Sequence, residues 1–216
     1  MNVLITGLNG DFDKKLAAVF VRNGFNVYAI GGEKTSGVAL LADDLREAAA
    51  ALQKESGYID IYADVSDERS PSDNFNVRSG LNDNVMRKLY DANVTRPMAM
   101  LEAFLPLLEA GEGKRLCFLT SAQASINETR DIDGYGYKMA KAALHNFLQI
   151  TRNALAPKGY TIRAFDSLHG EVSPEMAAEA AFNYFVRRRG IERGDEKRDD
   201  EGNLVFRDAY GRQHSW

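Results

Sequence analysis

Asn2-Val3-Leu4-Ile5-Thr6 is a short apolar run that stops at Gly7-Leu8-Asn9-Gly10, and an amphipathic stretch carrying Leu16, Ala17, Val19, Phe20 and Val21 follows at once. A strand fed through a glycine turn into a helix is the opening unit of an open α/β sheet. It aims the helix's unpaired N-terminal amides at one point in space. Asn26–Ile30, Ile59–Val65, Arg115–Thr120 and Thr161–Phe165 supply further strand-like runs. Apolar strands alternating with amphipathic helices build parallel βαβ units, not a sandwich or a bundle. The expected fold is therefore α/β, a doubly wound parallel sheet forming one domain over residues 1–216. Strands are expected near 2–6, 26–31, 58–63, 114–120 and 160–165, with a last one at 204–207; helices are expected near 11–23, 39–55, 83–109, 136–156 and 174–188. Pro97 falls inside the third of these helices, which either starts there or bends, and Pro106 is a second kink point.

With 216 residues, 44% of them hydrophobic, the chain can bury one sizeable core. A formal charge of -4 argues against nucleic acid as the main partner. The run from Arg187 to Asp200 mixes signs and reads as a solvated loop. No apolar run reaches membrane-spanning length, and no basic leader precedes the first strand, so no membrane partner and a cytoplasmic location are expected. Cys117 stands alone inside a buried-type strand, in keeping with a reducing compartment. His145, His169 and His214 are scattered, with no ligand spacing, and no metal site is expected.

Chemistry is concentrated in Tyr137-Lys138-Met139-Ala140-Lys141, which opens a helical pattern. Positions i and i+4 share a helix face, so the phenol and the ammonium can lean on one another. A nearby cation lowers a tyrosine pKa toward the range useful to a general acid/base. Sixteen residues upstream of Tyr137, Ser121 ends the apolar Arg115–Thr120 run, and Asn93 precedes the apolar stretch 98–108. Ser121 could equally cap a strand end, with Ser125 as its substitute, and Asn93 could cap a helix.

In this order the pieces resemble the short-chain dehydrogenase/reductase family, whose fold is Rossmann-like. Thr6-Gly7 opens its nucleotide turn, and Asn93, Ser121, Tyr137 and Lys141 stand at its four active positions. Ser125-Ile126, Gly134-Tyr135-Gly136 and the Gly211–Trp216 end are similar to the C-factor-like, carbonyl-reductase-type branch. The resemblance implies NAD or NADP as cofactor, held by Gly7, Asn9, Gly10, Phe12, Asp64, Val65, Tyr137 and Lys141. It implies a small carbonyl or alcohol substrate whose oxygen exchanges a proton with Tyr137. Lys141 would hold the cofactor ribose, Ser121 the substrate oxygen and Asn93 a proton-relaying water. It also implies a homodimer or homotetramer paired through helices 83–109 and 136–156.

The resemblance departs in three places. The family's Thr-Gly-x-x-x-Gly-x-Gly turn reads Thr6-Gly7-Leu8-Asn9-Gly10-Asp11-Phe12-Asp13, which sets carboxylates beside a doubly negative pyrophosphate or simply acids at a helix start. The Asn-Asn-Ala-Gly signature is missing. If Asp64-Val65 ends the third strand and flanks adenine, the stretch up to Asn93 is too short for the usual helix and fourth strand, so a deletion is expected there. The lid after Phe165 is shortened and lacks its proline. Cofactor choice is open, since Gly31-Gly32-Glu33-Lys34 offers no Asp at the strand end and no immediate Arg. Two functions follow as expectations: a redox enzyme of the family, or a non-redox relative that binds ligands or proteins.

Overall fold

A computed structural model of the protein describes residues 1–187, 200 and 202–216. The mixed-charge run expected as a loop falls largely on 188–199 and lies outside the described residues. The strands are β1 (Asn2–Thr6), β2 (Asn26–Ile30), β3 (Val38–Leu41), β4 (Ile61–Asp64), β5 (Arg115–Thr120), β6 (Thr161–Asp166) and β7 (Phe206–Asp208). They form one sheet in the order β3-β2-β1-β4-β5-β6-β7, with every pairing parallel. The helices are α1 (Asp11–Arg22), α2 (Leu45–Glu55), α3 (Asp83–Tyr90), α4 (Arg96–Ala110), α5 (Tyr135–Leu155) and α6 (Pro174–Val186).

The two faces carry separate cores. On one, Leu16, Ala17 and Phe20 of α1 meet Ala178, Phe182 and Phe185 of α6 over β1 and β4. Phe20, Phe25 and Phe182 meet edge to face, with centroids 5.0–5.9 Å apart. On the other, Leu52 of α2, Phe104 and Leu108 of α4 and Leu144 and Leu148 of α5 cover Leu4, Tyr62 and Phe118. Helices on both faces explain why the central strands are buried end to end and read as unbroken apolar runs.

β3 corrects the sequence reading in two ways. The sequence pattern puts residues 39–41 inside a helix, because Ala and Leu favour helices and run on toward Leu45–Glu55. Pairing with β2 overrides that propensity, and the helix starts only where the Asp44 carboxylate accepts the amides of Arg46 (3.0 Å) and Glu47 (2.9 Å). Ile61–Asp64 is consequently the fourth strand, not the third, and the expected deletion of a strand is not there.

The helix expected over 83–109 runs as α3, one wide π turn at Asp91–Thr95, and α4. Pro97 sits at the start of α4 and donates no hydrogen bond, which fits the loosened turn immediately before it. Asn93 lies in that turn, and its Nδ2 donates to the Leu89 carbonyl at 2.9 Å, supplying a partner the wide turn would leave wanting. No helix among the described residues is long and apolar enough to cross a membrane.

Candidate active site

In a parallel sheet all C-terminal strand ends lie along one edge, and the order reverses between β1 and β4, where a crevice opens. A groove of about 400 Å³ lies there, lined among others by Gly7, Gly10, Asp13, Asp67, Arg69 and Arg96. Gly7 turns the chain out of β1 at φ +83°; a Cβ there would come within 2.8 Å of the Ser66 amide nitrogen. Only glycine serves at that point. Phe12 lines the groove and stacks on Phe165 with centroids 6.5 Å apart.

Around Tyr137 the structure gathers the four expected residues, all buried: Asn93, Ser121, Tyr137 and Lys141. Ser121 leaves β5 in extended conformation, and its Oγ accepts from the Gln123 amide at 3.3 Å. Asp166 at the end of β6 accepts the Ala122 amide at 2.7 Å, tying that turn down. Ser125, the substitute serine, is buried elsewhere, donating to the Trp216 carbonyl at 3.4 Å.

Sequence reasoning missed what meets this group. The segment leaving β4, Ser66-Asp67-Glu68-Arg69, closes over Tyr137. The Tyr137 hydroxyl donates to Asp67 Oδ1 at 2.6 Å and accepts from an Arg69 guanidinium nitrogen at 2.6 Å. The guanidinium also covers the ring, 4.2 Å from its centroid. Lys141 Nζ donates to the Ser66 carbonyl at 2.6 Å and the Leu119 carbonyl at 3.1 Å, and lies 3.3 Å from Asp67 Oδ1. Asn93 grips the same segment by its backbone: Nδ2 donates to the Glu68 carbonyl at 2.9 Å and Oδ1 accepts the Glu68 amide at 3.2 Å. Farther on, Asp73 accepts the amides of Gly136 (2.9 Å) and Tyr137 (2.8 Å), capping the start of α5. A cluster such as Asp67-Glu68-Arg69 looks like a solvated loop in sequence, and only its place beside α5 gives it meaning.

The electrostatics run against the expectation of an acidified tyrosine. Burial, then the Asp67 carboxylate, push Tyr137 well above the ordinary tyrosine value, outweighing the Arg69 charge and a hydrogen bond with Ser121. Lys141 sits 5.8 Å from the ring centroid, but burial lowers its own pKa against the pull of Asp67. For Asp67 burial is again the largest effect and would raise it. The Lys141 and Arg69 charges and the Tyr137 hydrogen bond together outweigh burial and hold its carboxyl below the usual range.

The glycine turn is similarly spoken for. Asp13 is 7% exposed and turned inward, its Oδ2 accepting the amides of Asn9 (3.0 Å) and Gly10 (2.7 Å). Burial pushes it up to about 6 despite those two amides, with Asp67 and Asp64 adding to the rise. Asp11 stays exposed at the helix start. Asp64 does not reach the groove: it is buried at the end of β4, accepting from Thr6 Oγ1 at 2.7 Å and the Ser66 amide at 3.1 Å, and Val65 is buried beside it. Neither lines the cleft, and the adenine-flanking place expected of them follows from counting β4 as the third strand.

A dinucleotide fits this frame unevenly. The glycine geometry and the crevice suit it, whereas the amides of Asn9 and Gly10 and the ammonium of Lys141 are satisfied by the chain's own groups. At the end of β2, Gly31 (φ +76°) leaves space bordered by Arg96, whereas Gly32 (φ +84°) is packed so closely that a Cβ would lie 1.8 Å from the Leu8 carbonyl oxygen. No group of three potential metal ligands occurs among the described residues.

A family model described as short chain dehydrogenase matches residues 1–183. The chain belongs to the short-chain dehydrogenase/reductase family. It is similar to the C-signal protein of Myxococcus xanthus, 31% identical over 75 residues, covering 35% of this chain and 45% of that one. An uncharacterized oxidoreductase of Schizosaccharomyces pombe is 31% identical over 107 residues, 49% of this chain and 41% of that one. The matched parts thus span less than half of these relatives. Among solved structures, the carbonyl reductase Sniffer of D. melanogaster superposes with a TM-score of 0.82 at 15% identity, covering 100% of this chain and 99% of that one. A short-chain dehydrogenase/reductase of Burkholderia multivorans with bound NADP gives 0.79 at 16% identity over 100% and 99%.

Proposed function

We propose that the chain is an NAD(P)-dependent oxidoreductase acting on a small carbonyl or alcohol, with Tyr137 as the acid/base. One observation carries this reading: Asn93, Tyr137 and Lys141, drawn from a π turn and α5, all bond the Ser66–Arg69 segment that lines the groove, and Ser121 at the end of β5 meets Tyr137 beneath it. When bound, the nicotinamide supplies or accepts the hydride. The chain's part is to orient the substrate oxygen at Ser121 and to hold a proton on the Tyr137 hydroxyl. While Asp67 is in contact, burial and its carboxylate hold the Tyr137 proton firmly. Withdrawing Asp67 leaves the nearby Lys141 ammonium to favour release of that proton to a carbonyl oxygen in the reducing direction. For substrate to reach the hydroxyl, the Asp67–Arg69 segment must swing away, freeing Lys141 for ribose hydroxyls in the same motion. A homodimer or homotetramer belongs to the same proposal, supported by exposed Met98 on α4 and Met139 and Ile150 on α5.

A second reading, a non-redox relative that binds ligands or proteins, is favoured by the saturation of Tyr137, Lys141 and the glycine-turn amides by internal partners. The test is a fluorescence titration with NADPH and NADH followed by turnover of the Tyr137→Phe variant. Binding of either nucleotide, with turnover lost in the variant and affinity kept, is the expected result. No binding of either at about millimolar concentration, where association is worth only about 4 kcal/mol, leaves the second reading standing.

A further inference from the structure

We propose that His214 is a proton-operated latch that fastens the loop leading out of Ser121 to the far edge of the sheet. The latch stands apart from the redox reading, and its test needs neither nucleotide nor turnover. After β7 the chain turns back at Gly211 (φ +79°) and runs antiparallel to that strand. Arg207 is bridged to Gln213, and the His214 amide donates to the Phe206 carbonyl at 3.0 Å. His214 then faces a carboxylate with each ring nitrogen. Glu128 Oε2, from the loop after β5, lies 3.1 Å from Nδ1, and Asp208 Oδ2 lies 3.0 Å from Nε2. An ionised carboxylate only accepts, whereas a neutral imidazole carries a single N–H. Only the imidazolium donates to both, so the arrangement is complete only with the proton on the ring.

Neither carboxyl holds that proton instead. The Ser215 amide, at 2.9 Å, and His214 hold Glu128 below its usual range. Burial would raise Asp208, but His214, the Arg212 guanidinium and the amides of Arg212 and Tyr210 outweigh it. For His214 burial works against the charge, and the two carboxylates overcome it and raise the ring's pKa. The latch is therefore closed at low pH and opens as pH rises through that raised value. Arg212, bonded to Asp208 at 2.6 Å, and Asp166 at the end of β6 are the other charges about the ring, with Glu171 acting on Arg212.

The two carboxylates are unequal partners. Asp208 is wholly buried and keeps three N–H donors without His214, whereas Glu128 is exposed and keeps the Ser215 amide. On loss of the proton the remaining N–H stays with Asp208, and the bare Nδ1 repels Glu128. Between loop and strap there then remain the bonds of Ser125 (3.4 Å) and Asn127 (3.1 Å) to the Trp216 carbonyl. Trp216 covers His145 edge to face at 4.7 Å, and His145 bonds the hydroxyl of Thr120, the residue before Ser121. Opening the latch thus loosens the cover behind Ser121 together with the loop in front of it.

Trp216 is the chain's single tryptophan, so its fluorescence reports the strap. Acrylamide quenching is followed from about pH 5 to about pH 9, across the histidine range, in wild type, His214→Gln and Glu128→Gln. His145 stays neutral there, since burial and then the Lys141 charge push it down to about 4. The expected result is a rise in quenching in one single-proton step, centred above the ordinary histidine value of 6.5. His214→Gln loses the step. Glu128→Gln, an exposed substitution that circular dichroism should find folded, loses it too and stays protected throughout, because its amide donates to a neutral ring or accepts from a charged one. At about pH 8, where an ordinary histidine is neutral, amides of residues 122–130 should exchange hydrogen faster in wild type than in Glu128→Gln. No step in wild type, a step that survives either substitution, or equal exchange in the two proteins overturns the latch.

Discussion

The two ends of one groove are built on opposite principles. At the β2 end, Gly31 leaves space beside Arg96, which is exposed and has no hydrogen bond or ion pair among the described residues. At the α5 end, the Tyr137 hydroxyl, both Asp67 oxygens and the Lys141 ammonium already have partners inside the chain. A buried polar network that is fully satisfied gains rigidity and loses readiness to exchange partners. Any reaction at Tyr137 first has to break internal bonds. Breaking the network deliberately is therefore the most informative perturbation.

The largest effect is expected from Lys141→Met. The ammonium is wholly buried and bonded to two carbonyls and the Asp67 carboxylate. Removing it leaves that carboxylate with Arg69 as its one adjacent cation and takes a donor from the buried Leu119 carbonyl and the part-buried Ser66 carbonyl. Losing one partner of a buried pair costs about 3–5 kcal/mol. Urea unfolding should show that loss as a lower midpoint with an unchanged slope. A loss below about 1 kcal/mol, the range of an ordinary surface change, would mean that the α5 end is not saturated in solution.

Next in size is the pH dependence set by Asp13. Its carboxyl titrates at about 6 in the folded chain and near about 3.9 when unfolded. Between those values the folded chain holds the extra proton, so stability falls as pH rises through that window and is fully present only below about 4. The loss is on the order of 2–3 kcal/mol. In an Asp13→Asn variant the side-chain carbonyl oxygen can still accept both backbone amides, but the group does not titrate. The difference in unfolding free energy between wild type and variant should therefore move in the variant's favour between about pH 4 and about pH 7. Asp64 and Asp166 are also raised by burial, which is why the difference, and not the wild-type curve, is the measurement. A flat difference would place Asp13 in water, outside the amide cradle.

Much of this architecture is legible in the sequence, and the failures are instructive. β1, β2, β5 and β6 announce themselves as apolar runs because helices cover both faces. β3 hides, since a four-residue edge strand of Val-Ala-Leu-Leu carries neither alternation nor β-branched bias beyond Val38. That one omission shifts the strand count and produces both the expected deletion and the adenine role for Asp64. The residues expected at the active positions, Tyr137, Lys141, Ser121 and Asn93, meet as a group because spacing along α5 and the ends of strands are local properties. Asp67 and Arg69 could not be found that way. Their importance lies in pairings such as Arg69 with Tyr137, 68 residues apart, which no local pattern encodes.

The smallest expected effect on stability, and the sharpest on function, comes from Arg69→Ala. Arg69 gives Tyr137 one hydrogen bond and covers its ring, while Tyr137 keeps its bond to Asp67. One hydrogen bond and a cation–π contact at a half-buried site are together worth about 1–2 kcal/mol. The fold therefore survives. What changes is access: the ring face and hydroxyl open toward the groove, and Asp67 loses one of the two cations holding it in place. If the redox proposal is right, the segment that must swing away is now held more weakly, and NADPH should bind about three- to tenfold tighter, a gain of about 1 kcal/mol. Stopped-flow binding should register the gain mainly as a faster association rate, because the opening step precedes docking. Weaker nucleotide binding in the variant would give Arg69 the opposite role, a ligand-holding cation, and the closed network would then be half of a binding site in place of a plug.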